Sequence, residues 1–89
     1  MADKIREAVG AERYVFSVHA NQMIRKRGLM AWQIIAGLDG ARLIRQRPDA
    51  DPNPVAEFEQ VLPDGTPVKV IWAWISRLRM AKLVYLVSQ

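Results

Sequence analysis

Cysteine is absent from all 89 residues. That removes disulfide frameworks and thiolate zinc centres together, and it suits a reducing compartment. Long apolar runs are also missing: no stretch is long or uninterrupted enough to span a bilayer, and Met-Ala-Asp-Lys-Ile-Arg-Glu at the N-terminus is not the apolar core of a signal peptide. The expected location is therefore cytoplasmic, with no membrane partner. Histidine occurs once, so any imidazole chemistry must run through His19. Asp49, Asp51, Glu57 and Glu59 lack the spacing of a metal-binding loop, and neither a phosphate-cradling glycine loop nor a Gly-x-Ser-x-Gly elbow is present. Ser17 and His19 stand two apart and would not face each other on a helix, which argues against a serine nucleophile. No metal and no cofactor is expected.

What is present is enough for one core. A chain of 10.1 kDa with 51% hydrophobic and 25% charged residues falls in the range of a single globular domain, residues 1–89. Net charge is +4, and nine of the thirteen basic residues are arginine. Guanidinium forks onto phosphate in a way that ammonium does not, so the balance leans towards a nucleic-acid partner.

Ile5, Ala8 and Val9 recur at helical spacing, and Asp3 is placed to cap a leading helix from Asp3 to Val9. Arg13 to Phe16 reads as an extended connector. Ser17 caps a second helix that stops at Gly28, with Arg25, Lys26 and Arg27 in its last turn. Ala31, Ile34, Ile35 and Leu38 share one face of a third helix, closed by Gly40. Ala41 to Arg47 alternates only loosely, and Pro48 to Pro54 sustains neither helix nor sheet. Val55 to Leu62 and Thr66 to Ile75 flank Pro63-Asp64-Gly65, which predicts a hairpin. A three-residue loop sets Phe58 opposite Val70 and Glu59 opposite Lys69 as an ion pair. Met80 to Val87 forms the last strand. The fold class is α+β, with N-terminal helices packed on a C-terminal three- or four-stranded antiparallel sheet. Val68, Val70, Trp72 and Trp74 take one face of that sheet. Ile71, Ala73 and Ile75 take the other, so both faces call for cover from a loop, a second subunit or a partner.

On helical geometry His19 borders the apolar stripe of Ala20, Met23 and Ile24, as a rim histidine able to act as acid or base or simply to pack. Arg27 is expected near the centre of that stripe. At 1.5 Å per residue it stands ~12 Å from His19 along the axis, so either the two flank one bound phosphate or nucleotide, or the Arg27 stem covers the core while its head reaches solvent or the helix-end carbonyls. Arg25 and Lys26 point elsewhere, as a solvated face or as nucleic-acid contacts. Arg42, Arg45 and Arg47, with Arg77, Arg79 and Lys82 near the last strand, form either a track for a phosphate backbone or an ordinary solvated surface. Trp72 and Trp74 are core residues or, alternatively, base-stacking platforms, and Tyr85 fits the core.

Phe16-Ser17-Val18-His19-Ala20, followed by Arg27-Gly28-Leu29 and a helix bearing Ile34, Ile35 and Leu38, resembles a bacterial family, domain of unknown function 4258. The resemblance runs from about Tyr14 onward. It implies a fold similar to RelE-like toxins, small ribonucleases that cleave RNA without metal by activating the ribose 2′-hydroxyl. On that resemblance His19 is the acid or base and Arg27 the phosphate clamp. The family's first arginine is replaced here by Met23, and its polar residue of the last strand has no clear counterpart, Tyr85 and Ser88 being the two candidates for it. Two functions follow as expectations. One is a toxin-type, metal-independent endoribonuclease. The other is a non-catalytic module that binds nucleic acid, a neutralising protein or a second copy through the strand face bearing Trp72 and Trp74.

Overall fold

The computed structural model describes residues 1–88, the side chain of Ser88 excepted. In chain order it contains α1 (Ala2–Gly10), β1 (Tyr14–Phe16), α2 (Val18–Lys26), α3 (Ala31–Gly37), β2 (Arg42–Arg47), β3 (Val55–Val61), β4 (Pro67–Ile75) and β5 (Met80–Ser88). The α+β class and the helices-first order agree with the sequence reading. The sheet does not: it has five strands in the order β1-β5-β4-β3-β2, and it is mixed because β1 runs parallel to β5. The connector read at Arg13 to Phe16 is thus a strand. Three residues are too few to show a period, and β1 is held by long-range contacts instead. Phe16 meets Trp72 edge-on at 6.0 Å between ring centroids, and the Ser17 N–H donates to the Leu83 carbonyl at 2.9 Å. The loosely alternating segment after Gly40 is also a strand, its alternation broken by an irregularity between Leu43 and Arg45.

Local signals place the helices. Ser17 Oγ accepts from the Ala20 N–H at 3.0 Å, the N-cap bond that opens α2. At its far end Gly28 takes φ 67, the Leu29 N–H reaches the Ile24 carbonyl at 2.9 Å and the Gly28 N–H reaches that of Arg25 at 3.1 Å. This pairing, with Leu29 packed against the core that holds Ile24, is a Schellman closure. Two expected caps are corrected. Asp3 does not cap α1, whose N-cap is Met1. Asp3 lies in the first turn, 4.0 Å from Arg6. Gly40 is not among the positive-φ glycines, and α3 closes through the Leu38 N–H onto the Ile35 carbonyl at 3.3 Å.

The hairpin follows its sequence. Asp64 Oδ1 accepts from the Thr66 N–H at 3.0 Å, Gly65 takes φ 90, and Phe58 faces Val70 while Glu59 faces Lys69. Ala56 and Phe58 of β3, Val68, Val70 and Trp72 of β4, and Ala81, Leu83 and Leu86 of β5 meet Ile5, Ala8 and Val9 of α1, Ala20 and Ile24 of α2, and Ile34 with Leu38 at α3. Leu83 and Leu86 both face inward although three apart, because the ladder shifts between Ile71 and Trp72 and leaves Val84 as the extra residue. Trp72 is fully buried under the helices. Trp72 therefore belongs to the core, which corrects the expected docking or stacking role of that residue, while Trp74 at the end of the same strand face is half-buried and packs against the core from its edge.

Gly37 lets α3 lie close to the sheet. A Cβ there would stand 2.6 Å from Gln60 Nε2, which donates to the Ile34 carbonyl at 3.0 Å in a buried setting. Alanine is the better helix former by ~1 kcal/mol, yet in Gly37→Ala the amide must leave its carbonyl. Urea unfolding is expected to show a net loss of about 1–2 kcal/mol, most of it absent in a Gln60→Ala background. A variant as stable as the parent would show that Gln60 yields without cost.

Candidate nucleic-acid interface

The helices and strands that build the core share one side of the sheet, so the other side is defined by strand alternation. Register sets its side chains in three rows. Val15, Lys82, Ala73, Val55 and Arg47 form one. Tyr85, Ile71, Glu57 and Arg45 form the next, followed by Val87, Lys69, Glu59 and Arg42. Five cations thus share this face with two carboxylates.

Glu57 is the hub. Only 3% exposed, it accepts Lys69 Nζ on one oxygen at 2.9 Å and Arg47 Nε on the other at 3.3 Å. Glu59 takes Arg42 Nη2 at 2.8 Å. The expected Glu59–Lys69 register pair is realised in the backbone, but the lysine bonds the diagonal carboxylate, because Arg42 on the edge strand claims Glu59. Lys69 and Arg47 both reach Glu57 on this face, where Ala73 is buried and Ile71 half-buried.

The hydrogen bond from Lys69 holds the Glu57 carboxyl below its ordinary value. Burial opposes this, and the charges of Lys69, Arg47 and Arg45 reinforce it. A carboxyl depressed in the folded state stabilises the fold above its unfolded pKa, and this contribution is lost as pH falls through the folded value. Glu57→Gln is therefore expected to cost about 1–3 kcal/mol at pH 7. The difference from the parent should shrink progressively below the ordinary carboxylate range in urea titrations. A difference independent of pH would contradict this.

At the opposite edge, β1 ends and α2 begins. Ser17 anchors the junction, its hydroxyl donating to the Val84 carbonyl at 3.3 Å, and two residues later the His19 ring meets Tyr85 at 5.1 Å between centroids. His19 is exposed and Tyr85 half-buried. Tyr85 faces Ile71 in register, so the pair borders the same open face that carries Arg45 at its far end.

The other expected site residues are distributed as follows. Arg42, Arg45 and Arg47 lie together on β2, the first and last engaged by carboxylates. Arg25 and Lys26 are exposed on the last turn of α2. Arg27 is exposed too, which corrects its expected place at the centre of the apolar stripe. The helix ends at Lys26, and Arg27 is its C-cap, its N–H still donating to the Met23 carbonyl at 3.1 Å, but it lies three residues past Ile24, the last buried residue of α2. Eight positions separate it from His19, ~12 Å along the axis and roughly 80° around it, so α2 holds the two at its opposite ends. Arg79 sits in the turn between β4 and β5. Met23 is half-buried against the core, and the side chain of Ser88 lies outside the described residues.

Sequence reasoning missed Glu57 as a hub and the contact of His19 with Tyr85. The first was visible only if Arg42–Arg47 is a strand, which sets two alternating glutamates against alternating arginines. No local signal announces the second, whose partners lie 66 residues apart. Among the described residues no three His, Asp or Glu side chains gather as a metal site, and no helix is long and apolar enough to cross a membrane. Comparison with family models, with curated proteins and with solved structures yields no match.

Proposed function

We propose that the open sheet face binds RNA and that the chain is a metal-independent endoribonuclease of RelE-like, toxin type, with His19 and Tyr85 at its reactive edge. The observation that carries this reading is the contact of the only histidine with Tyr85, exposed at the border of a face on which cations outnumber carboxylates. The resemblance of Phe16–Ala20 and Arg27–Leu29 to the domain 4258 family supports it.

In this reading Lys82 and Arg45 hold phosphates on either side of the apolar middle, and Arg27 contacts the strand beyond α2. His19 accepts the proton of a ribose 2′-hydroxyl, and the 2′-oxygen attacks the adjacent phosphorus. The bond to the 5′-oxygen breaks, that oxygen takes a proton from the Tyr85 phenol, and the phenolate regains one from the His19 imidazolium beside it. The products are a 2′,3′-cyclic phosphate and a 5′-hydroxyl, and no oxidant, metal or water is consumed.

A second reading, a binding module without catalysis, is favoured by Met23. Its side chain packs on the core where the family carries an arginine, so a transition-state cation is missing from that position. Incubation of the purified chain with total RNA in EDTA separates the two. Fragments ending in 2′,3′-cyclic phosphate support the enzyme. Intact RNA, retained with an affinity that falls steeply with salt, supports the module. An absence of both cleavage and retention sinks the RNA proposal altogether.

A further inference from the structure

Where β4 turns into β5, an open hollow of about 780 Å³ lies against α1, lined by Lys4, Glu7, Arg13, Trp74, Ser76 and Arg79. Its size is within the roughly 300–1,000 Å³ typical of small-molecule sites. Three cations face one carboxylate, and among the described residues none of Lys4, Arg13 and Arg79 is ion-paired. This distinguishes the hollow from the sheet face, where Arg42, Arg47 and Lys69 are already bonded to glutamates.

The two arginines are held together by the fold. Arg13 Nε donates to the Arg79 carbonyl at 3.2 Å, and the Ala81 N–H donates to the Arg13 carbonyl at 3.2 Å. Arg79 is kept at φ 52, a left-handed backbone that side-chain-bearing residues rarely adopt. Like charges placed side by side repel unless an anion lies between them, and guanidinium groups bind phosphate by paired hydrogen bonds. Trp74 supplies a different chemistry, being half-buried with one side on the core while it lines the hollow. An indole beside unpaired cations suits a ligand that is flat at one end and anionic at the other.

We infer that this hollow binds a nucleoside phosphate, its phosphate on Lys4, Arg13 and Arg79 and its base on Trp74. Tyr85 lies six positions along the strand from Arg79, roughly 20 Å at ~3.3 Å per residue, so the site is separate from the His19 edge and does not depend on RNA cleavage. The ligand is a free nucleotide or one unit of an RNA chain.

The test follows the Trp74 indole N–H resonance of the full chain at low salt, titrated with inorganic phosphate, adenosine monophosphate and a short oligoribonucleotide. A saturable shift is expected, with the nucleotide bound at least tenfold more tightly than phosphate. Lys4→Gln/Arg79→Asn should weaken it at least tenfold, asparagine being tolerated in the left-handed backbone. Arg42→Gln on the sheet face, where the guanidinium is already bonded to Glu59, should leave the shift with adenosine monophosphate unchanged. Binding of the oligonucleotide alone, lost in the same double variant, identifies the RNA chain as the source. Binding of both admits the free nucleotide. No saturable shift with either, equal affinity for phosphate and nucleotide, or full affinity in Lys4→Gln/Arg79→Asn overturns the assignment.

Discussion

His19→Ala is expected to lower RNA cleavage by roughly two to four orders of magnitude, the range that a positioned acid or base contributes, while the urea midpoint stays nearly unchanged. The two outcomes separate because His19 is exposed and its substitution opens no cavity in the core. Tyr85→Phe keeps the ring against the imidazole and removes only the hydroxyl. It should slow the chemical step by about a hundredfold if the phenol is the proton donor. Arg27→Ala acts at the other end of α2, so it is expected to weaken RNA binding by about tenfold, the size of one lost charge-assisted contact, without abolishing the step. Single-turnover rates at saturating protein read the first two, and retention of RNA reads the third. Cleavage by His19→Ala at the parental rate would remove the imidazole from the mechanism and assign the activity to a contaminant or to another part of the surface.

Trp72→Ala is expected to cost about 3–5 kcal/mol, against a total stability of about 4–13 kcal/mol for a domain of this length. The indole is fully buried, stands edge-on to Phe16 and is paired in the ladders with Ala56 and Leu83. It joins β1 and β3 across the middle of the sheet, so its removal leaves a void that no single neighbour can close. Trp72→Phe should cost much less. It retains most of the ring, and it also discards an indole N–H that has no hydrogen-bond partner among the described residues, a donor whose burial carries a penalty of about 1–3 kcal/mol. Urea unfolding of the three proteins gives the comparison. A Trp72→Ala loss below about 1 kcal/mol would mean that the core collapses around the vacancy.

The local elements were largely legible. Ser17 and Gly28 mark the two ends of α2 through interactions that span at most six residues, and the cap bond and the closure form where the sequence places them. Pro63-Asp64-Gly65 sets the hairpin register, because a short loop leaves its strands one way to pair. Asp3 and Gly40 were over-read for a physical reason: a capping residue acts only if the backbone around it takes the cap geometry, and packing of α1 and α3 on the sheet decided that differently.

By itself, then, the sequence determined which segments are helical, where α2 stops, how β3 meets β4, and that both faces of β4 are apolar enough to need cover. Tertiary structure alone decided that Tyr14–Phe16 joins β5 in parallel, that the helices take the Trp72 face, that Glu57 rather than Glu59 receives Lys69, and that His19 meets Tyr85. Caps and tight turns draw their energy from neighbours a few residues away, so they can be read in a short window. Parallel pairing, the choice of face and cross-strand ion pairs draw theirs from residues brought together only when the whole chain closes around one core.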